Sequence, residues 1–263
     1  GGGEPIVLAS YIESEHEHLA IGAGQAYFSG WIDDGAQWLQ RVPLASGEVT
    51  KVAVSGGGVM AMAVDAASVY WLDVDWASSL SLRKVALGGG EPATLATGLT
   101  NASALVASDT GVYWTSWDEG KLWRLPLGGD SPAVVAAGQD HPADLVVRGG
   151  MVYWLNHGTV DGSGPPDGSV MRASVDGQGV TVLVPAAPSP AHLAVDDSHL
   201  YWTSCKGEVG VMTVPLAGGE AAAFAIAAGG AWGVAIDATS VYWTEPEGTA
   251  AGTGASTGSD GAA

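Results

Sequence analysis

Val112-Tyr113-Trp114-Thr115-Ser116 is a short strand-like run built around a Tyr-Trp pair, and it recurs along the chain. Equivalent pairs stand at Tyr27-Phe28, Tyr70-Trp71, Tyr153-Trp154, Tyr201-Trp202 and Tyr242-Trp243. The steps between successive tyrosines are 43, 43, 40, 48 and 41 residues. A period near 40 residues built from strand-like segments is the signature of propeller blades. The fold expected is therefore all-β, a six-bladed β-propeller of four-stranded blades.

Each unit reads as four segments. The first is apolar and ends in Asp or a small residue, as in His192-Leu193-Ala194-Val195-Asp196, and the second is the aromatic run. The third carries a basic residue and an apolar-Pro-apolar step, as in Arg41-Val42-Pro43-Leu44 and Arg124-Leu125-Pro126-Leu127, and the fourth is short, as in Ala93-Thr94-Leu95-Ala96. Runs of this kind bounded by Gly-Gly, Asp-Gly and Pro mark strands joined by turns. Five complete units are expected at about 18–57, 59–98, 104–138, 144–187 and 192–230, with two strands of a sixth at 232–237 and 241–244. Gly1 to Ser10 repeats the pattern of Gly88 to Thr97, which predicts that the N-terminal strand closes the ring. The propeller is expected to span 1–247, and 248–263 reads as a flexible Gly/Ala/Ser/Thr tail or linker.

Tyr113-Trp114-Thr115-Ser116, Tyr201-Trp202-Thr203-Ser204 and Tyr242-Trp243-Thr244-Glu245 resemble the YWTD repeat of low-density-lipoprotein-receptor-type six-bladed propellers. The basic third-strand residue of that repeat has counterparts in Arg41, Lys84, Arg124 and Arg172, with Thr213 in its place in the fifth unit. Asp occupies the fourth motif position only at Asp73, which puts a blade-to-blade hydrogen-bonding role of that position in question. The resemblance implies a non-enzymatic, extracytoplasmic ligand-binding propeller with no expected cofactor.

Composition narrows the partners. Nine basic against 28 acidic residues give a formal charge of −19, with no Lys/Arg cluster, so nucleic acid and anionic membranes are unlikely partners. A chain of this size needs no disulfide to fold, and the lone Cys205 forms none internally. The Ala- and Gly-rich, Lys-poor composition has the look of a secreted, periplasmic or cell-envelope protein of bacterial type.

The loops divide the candidate sites. One set of turns is small and repetitive, as in Leu87-Gly88-Gly89, and reads as turn chemistry. The second-to-third-strand turns instead collect aromatics and acids: Trp31 with Asp33, Asp75 with Trp76, Trp117 with Asp118, and the link residue Trp232 joins them. An aromatic platform beside carboxylates suits sugars by stacking or cationic groups by cation-π attraction. These residues are the expected binding set for a protein, peptide or glycan. His18, Asp144 and His192 each stand nine residues before their tyrosine and form a candidate divalent-metal set at the channel mouth. A metal-dependent hydrolase, lactonase or lyase using that mouth is the alternative reading.

Overall fold

The structure, a computed structural model, describes residues 18–31, 37–45, 47–158, 167–204, 209–226 and 230–245. The described residues form no helix and fall into six antiparallel sheets that follow one another along the chain. The first sheet holds β1 (Leu19–Gly22), β2 (Gln25–Trp31), β3 (Gln37–Pro43) and β4 (Thr50–Val54). The second holds β5 (Gly58–Val64), β6 (Ser68–Val74), β7 (Leu80–Ala86) and β8 (Ala93–Leu99). The third holds β9 (Ala102–Ala107), β10 (Gly111–Ser116), β11 (Lys121–Pro126) and β12 (Ala133–Ala137). The fourth holds β13 (Pro142–Arg148), β14 (Met151–Asn156), β15 (Gly168–Ser174) and β16 (Thr181–Ala187). The fifth holds β17 (Pro190–Val195), β18 (His199–Ser204), β19 (Val209–Pro215) and β20 (Ala222–Ile226), and the sixth pairs only β21 (Val234–Ile236) with β22 (Val241–Trp243).

Strands pair in sequence order, the up-and-down arrangement of a propeller blade. The predicted units match these sheets to within a few residues. The N-terminal closing strand and the tail after Gly248 lie outside the described residues. The described residues fall into two compact units, one within 18–114 and 124–133, the other within 115–123 and 134–245.

The repeat owes its regularity to one register. Tyr27 pairs with Ala20 on one side and Arg41 on the other, Tyr70 with Ala63 and Lys84, Tyr153 with Val146 and Arg172, and Tyr201 with Ala194 and Thr213. A one-residue slip would turn every aromatic to the opposite sheet face, so the burial of these rings pins the pairing. Trp71, Trp114, Trp154 and Trp202 are all fully buried. In the first unit Trp71 packs with Tyr27, Leu39 and Val85, and in the second Trp202 packs with Tyr153, Val184 and Leu193.

Polar stitches join neighbouring sheets. The Arg41 guanidinium donates from Nη1 to the Leu87 carbonyl at 2.5 Å, and Arg172 does the same to Leu216 at 2.7 Å, each reaching the turn after the third strand of the next sheet. The hydroxyl at the third motif position donates onward as well, from Thr115 to the Ala143 carbonyl and from Thr203 to that of Trp232. The fourth position keeps a linking role although its residue type varies. Asp73 accepts from Ser55 Oγ, the Gly56 N–H, Trp71 Nε1 and Arg83 Nη1. Asn156 donates to Gln139 Oε1, and Ser204 donates to the Pro188 carbonyl. Each binds the link that precedes its own sheet, so the substitution of Asp has changed the donor and acceptor chemistry and kept the contact.

Three of the first-to-second-strand turns are capped by an Asp five residues before the tyrosine. Asp65 Oδ1 accepts the N–H groups of Ala67 and Ser68 while Oδ2 accepts the Tyr70 hydroxyl. Asp196 and Tyr201 repeat this geometry, as do Asp237 and Tyr242. Burial, followed by the adjacent aspartate, pushes the Tyr70 and Tyr201 hydroxyls up to about 12.

Candidate functional site

In the first unit the turn after β6 is built on a buried polar frame. Asp73 holds the Ser55-Gly56 link, and Gln37 Oε1 accepts the Val59 N–H at 2.6 Å. Gly57 lies so close to the turn that a Cβ there would meet the Val74 carbonyl at 2.7 Å and the Trp76 nitrogen at 3.1 Å. The turn itself is closed by Asp75, whose Oδ1 accepts the N–H groups of Ala77 and Ser79. This geometry leaves the Trp76 ring 77% exposed. Trp31, half-buried at the end of β2, stands beside it with ring centroids 6.1 Å apart and planes tilted by 46°. Two indoles from successive sheets therefore meet, and Asp75, next to Trp76 in the chain, is exposed. Asp33 lies outside the described residues.

In the second unit Trp117 is half-buried and flanked by two imidazoles, those of His141 and His157, at centroid distances of 5.2 and 5.4 Å. Gly120 makes this possible: its φ is +61°, and a Cβ there would lie 2.4 Å from the Gln139 carbonyl. The link running on from Gln139 then brings Asp140 and His141 up to the Trp117 turn, with His141 Nδ1 2.8 Å from Asp140 Oδ1. Asp118 is exposed in the same turn. Trp117 is thus half-buried between two imidazoles, whereas Trp76 is largely exposed. Trp232 exposes 62% of its surface, while its backbone N–H and carbonyl are held by Thr244 and Thr203.

The structure brings together two of the three predicted metal ligands. His192 Nδ1 stands 3.6 Å from Asp144 Oδ2, longer than a hydrogen bond and short enough for an ion pair. The Asp144 carboxylate raises the His192 pKa, against the opposing effect of burial. Asp144 also accepts the backbone N–H groups of Leu145 and Leu193 at 2.9 Å each, which fastens β13 to β17. His18 belongs to the other unit, where its N–H donates to Ser29 Oγ, just as the His192 N–H donates to Thr203 Oγ1. Among the described residues no group of three His, Cys, Asp or Glu side chains is placed to hold a metal ion.

Sequence reasoning missed a cleft in the second unit. The turns Asp196-Asp197-Ser198 and Asp237 to Ser240 line a space of about 790 Å³ together with Tyr201, Phe224 and Ile236. Its signal lies in packing between separate sheets, which no local motif reports.

Among the described residues no helix is long and apolar enough to cross a membrane. No protein-family model matches the chain, and no curated protein matches it. Solved structures do. A chain of the crystal structure of a nidogen/laminin complex is similar at 19% identity and a TM-score of 0.59, over 78% of this chain and 78% of that one. The computationally designed Ika8 protein is similar at 14% identity and a TM-score of 0.66, over 88% of this chain and 68% of its own. At these identities the likeness is one of fold, and together with the six antiparallel sheets it places the chain in the β-propeller class.

Proposed function

We propose that this protein is a non-enzymatic, extracytoplasmic binding propeller that engages a protein, peptide or glycan through Trp31, Trp76 and Asp75. The observation that carries the reading is the contact of the exposed Trp76 indole with half-buried Trp31 on a buried polar frame. An indole left in water gains on burial against a partner, and rigid aromatic anchors dominate binding energy at interfaces. The charge of −19 favours partners or groups that are cationic. The relation in fold to a chain of a nidogen/laminin complex, itself an assembly of proteins, supports a protein partner. Asp144 and His192 are assigned a structural role, because the carboxylate oxygens already accept two backbone N–H groups.

The test is a screen of immobilised peptides and glycans with the wild-type protein and the Trp31→Ala/Trp76→Ala variant. Ligands retained by the wild type and lost by the variant support the reading. Retention by both sinks it.

A further inference from the structure

Twice in this protein an indole and a carboxylate share one cation. In the first unit the Arg83 guanidinium carbon lies 5.4 Å from the centroid of the buried Trp71 ring, and Arg83 Nη1 stands 3.1 Å from Asp73 Oδ2. In the second unit Lys121 Nζ lies 5.2 Å from the Trp123 centroid and 3.4 Å from Glu119 Oε2. The ring face attracts the ion through its quadrupole and the carboxylate through its charge, so both act on the same group. Trp31, Trp76 and Asp75 present the rings and the carboxylate without the ion. Among the described residues no Lys or Arg lies over either indole or pairs with Asp75. Residues 32–36, which lie outside the described residues, contain no Lys or Arg either, and of the nine such residues in the chain only Lys206 lies outside them.

The turn that carries Trp76 is fixed before any ligand arrives. The Asp75 N–H donates to the Ser79 carbonyl at 3.0 Å and the Ser78 N–H to the Asp75 carbonyl at 2.9 Å, with Ser78 held at a φ of +63°. A site ordered in advance loses little conformational freedom on binding. Asp75 Oδ1 is occupied by the Ala77 and Ser79 N–H groups, while Oδ2 accepts no hydrogen bond among the described residues. The carboxylate therefore keeps one oxygen for an incoming donor. The tilt of 46° between the indoles separates the candidate ligand classes. A flat sugar face can stack on one ring at a time, whereas a compact cationic head can meet both.

We infer that the platform takes the head group of a lysine or arginine side chain presented by a partner polypeptide. The indoles of Trp31 and Trp76 contact the cation, and Asp75 Oδ2 accepts one of its N–H groups. The inference rests on the reading of Trp31, Trp76 and Asp75 as the binding surface and narrows that surface to one chemistry.

The probes are short glycine peptides with a central lysine, arginine or norleucine and blocked ends, and cellotetraose as the sugar, each titrated into the whole protein. The indole N–H resonances of Trp31 and Trp76 report contact. The lysine and arginine peptides should move both resonances saturably, and the norleucine peptide and the sugar should leave them in place. Asp75→Asn keeps the Oδ1 acceptor for the turn and removes the charge, so it should weaken lysine-peptide binding about threefold at unchanged melting temperature. Trp76→Ala should weaken it about three- to fivefold. The inference is overturned by an equal response to the norleucine peptide, by a response to the sugar alone, or by no response of these two indoles to the basic peptides. Equal movement of every exposed indole also overturns it, since that would mark attraction by the acidic chain as a whole. A response to norleucine or to the sugar leaves Trp31 and Trp76 as the binding surface and strikes only its choice of a cation. Retention of array ligands by the Trp31→Ala/Trp76→Ala variant strikes the surface itself.

Discussion

Replacing Trp71 and Trp76 by alanine, one at a time, should separate the aromatic residues that build the fold from those that bind. Trp71 is fully buried, so its truncation removes about 200 Å² of buried surface. At about 25 cal/mol per Å² that is about 5 kcal/mol, within the range of ~3 to 5 kcal/mol known for large-to-small changes in cores. The loss of its Nε1 donation to Asp73 adds to the cost. Trp76 is 77% exposed, so less than a quarter of the same area is at stake and the expected cost is about 1 kcal/mol. Denaturant unfolding followed by circular dichroism measures both, as a shift in midpoint at constant slope. A Trp76→Ala variant as destabilised as Trp71→Ala would show that the exposed ring supports the fold and would refute the assignment of roles.

Removing the Asp73 carboxylate by Asp73→Ala should cost roughly 3 to 5 kcal/mol, because Arg83 and the Ser55-Gly56 link lose their common acceptor; chemical denaturation measures it. Arg172→Met, which keeps the apolar stem and deletes the latch to Leu216, should cost about 1.5 to 3 kcal/mol, and a change below half a kcal/mol would show the latch to be idle. Gly120→Ala forces a side chain into the Gln139 carbonyl from a φ of +61°, and should pull His141 away from Trp117, read as a changed Trp117 indole resonance. Alkaline stability follows from Tyr70 and Tyr201, whose hydroxyls ionise near 10 in the unfolded chain and near 12 in the folded one. Their contribution is complete below pH 10 and lost as pH rises towards 12, so Tyr70→Phe should flatten the decline in melting temperature over that window.

The blade pattern was legible because it is written in local sequence: an apolar run and an aromatic pair repeat in every unit, and an Asp turn in three of them. The contrast between Trp71 and Trp76 was legible for the same reason, since one obeys the repeat register and the other does not. The link role of Asn156 and Ser204 was hidden, because a change of residue type obscured a contact whose partner lies some 16 or 17 positions away. The contact of His141 and His157 with Trp117 was hidden by distance along the chain, as it depends on a link and a turn from different strands meeting at Gly120. The cleft beside Tyr201 and Phe224 was invisible to motif reading, because its lining is assembled from strands and turns of separate sheets.

The chain holds 11 tryptophans, and their indole N–H resonances give a direct test of where ligands bind. On titration with the tightest peptide or glycan from the array screen, the signals of Trp31 and Trp76 should move, while those of Trp71, Trp114, Trp154 and Trp202 stay fixed. Movement confined to Trp117, Trp232 or the buried set, with Trp31 and Trp76 unchanged, would contradict the platform as the binding site.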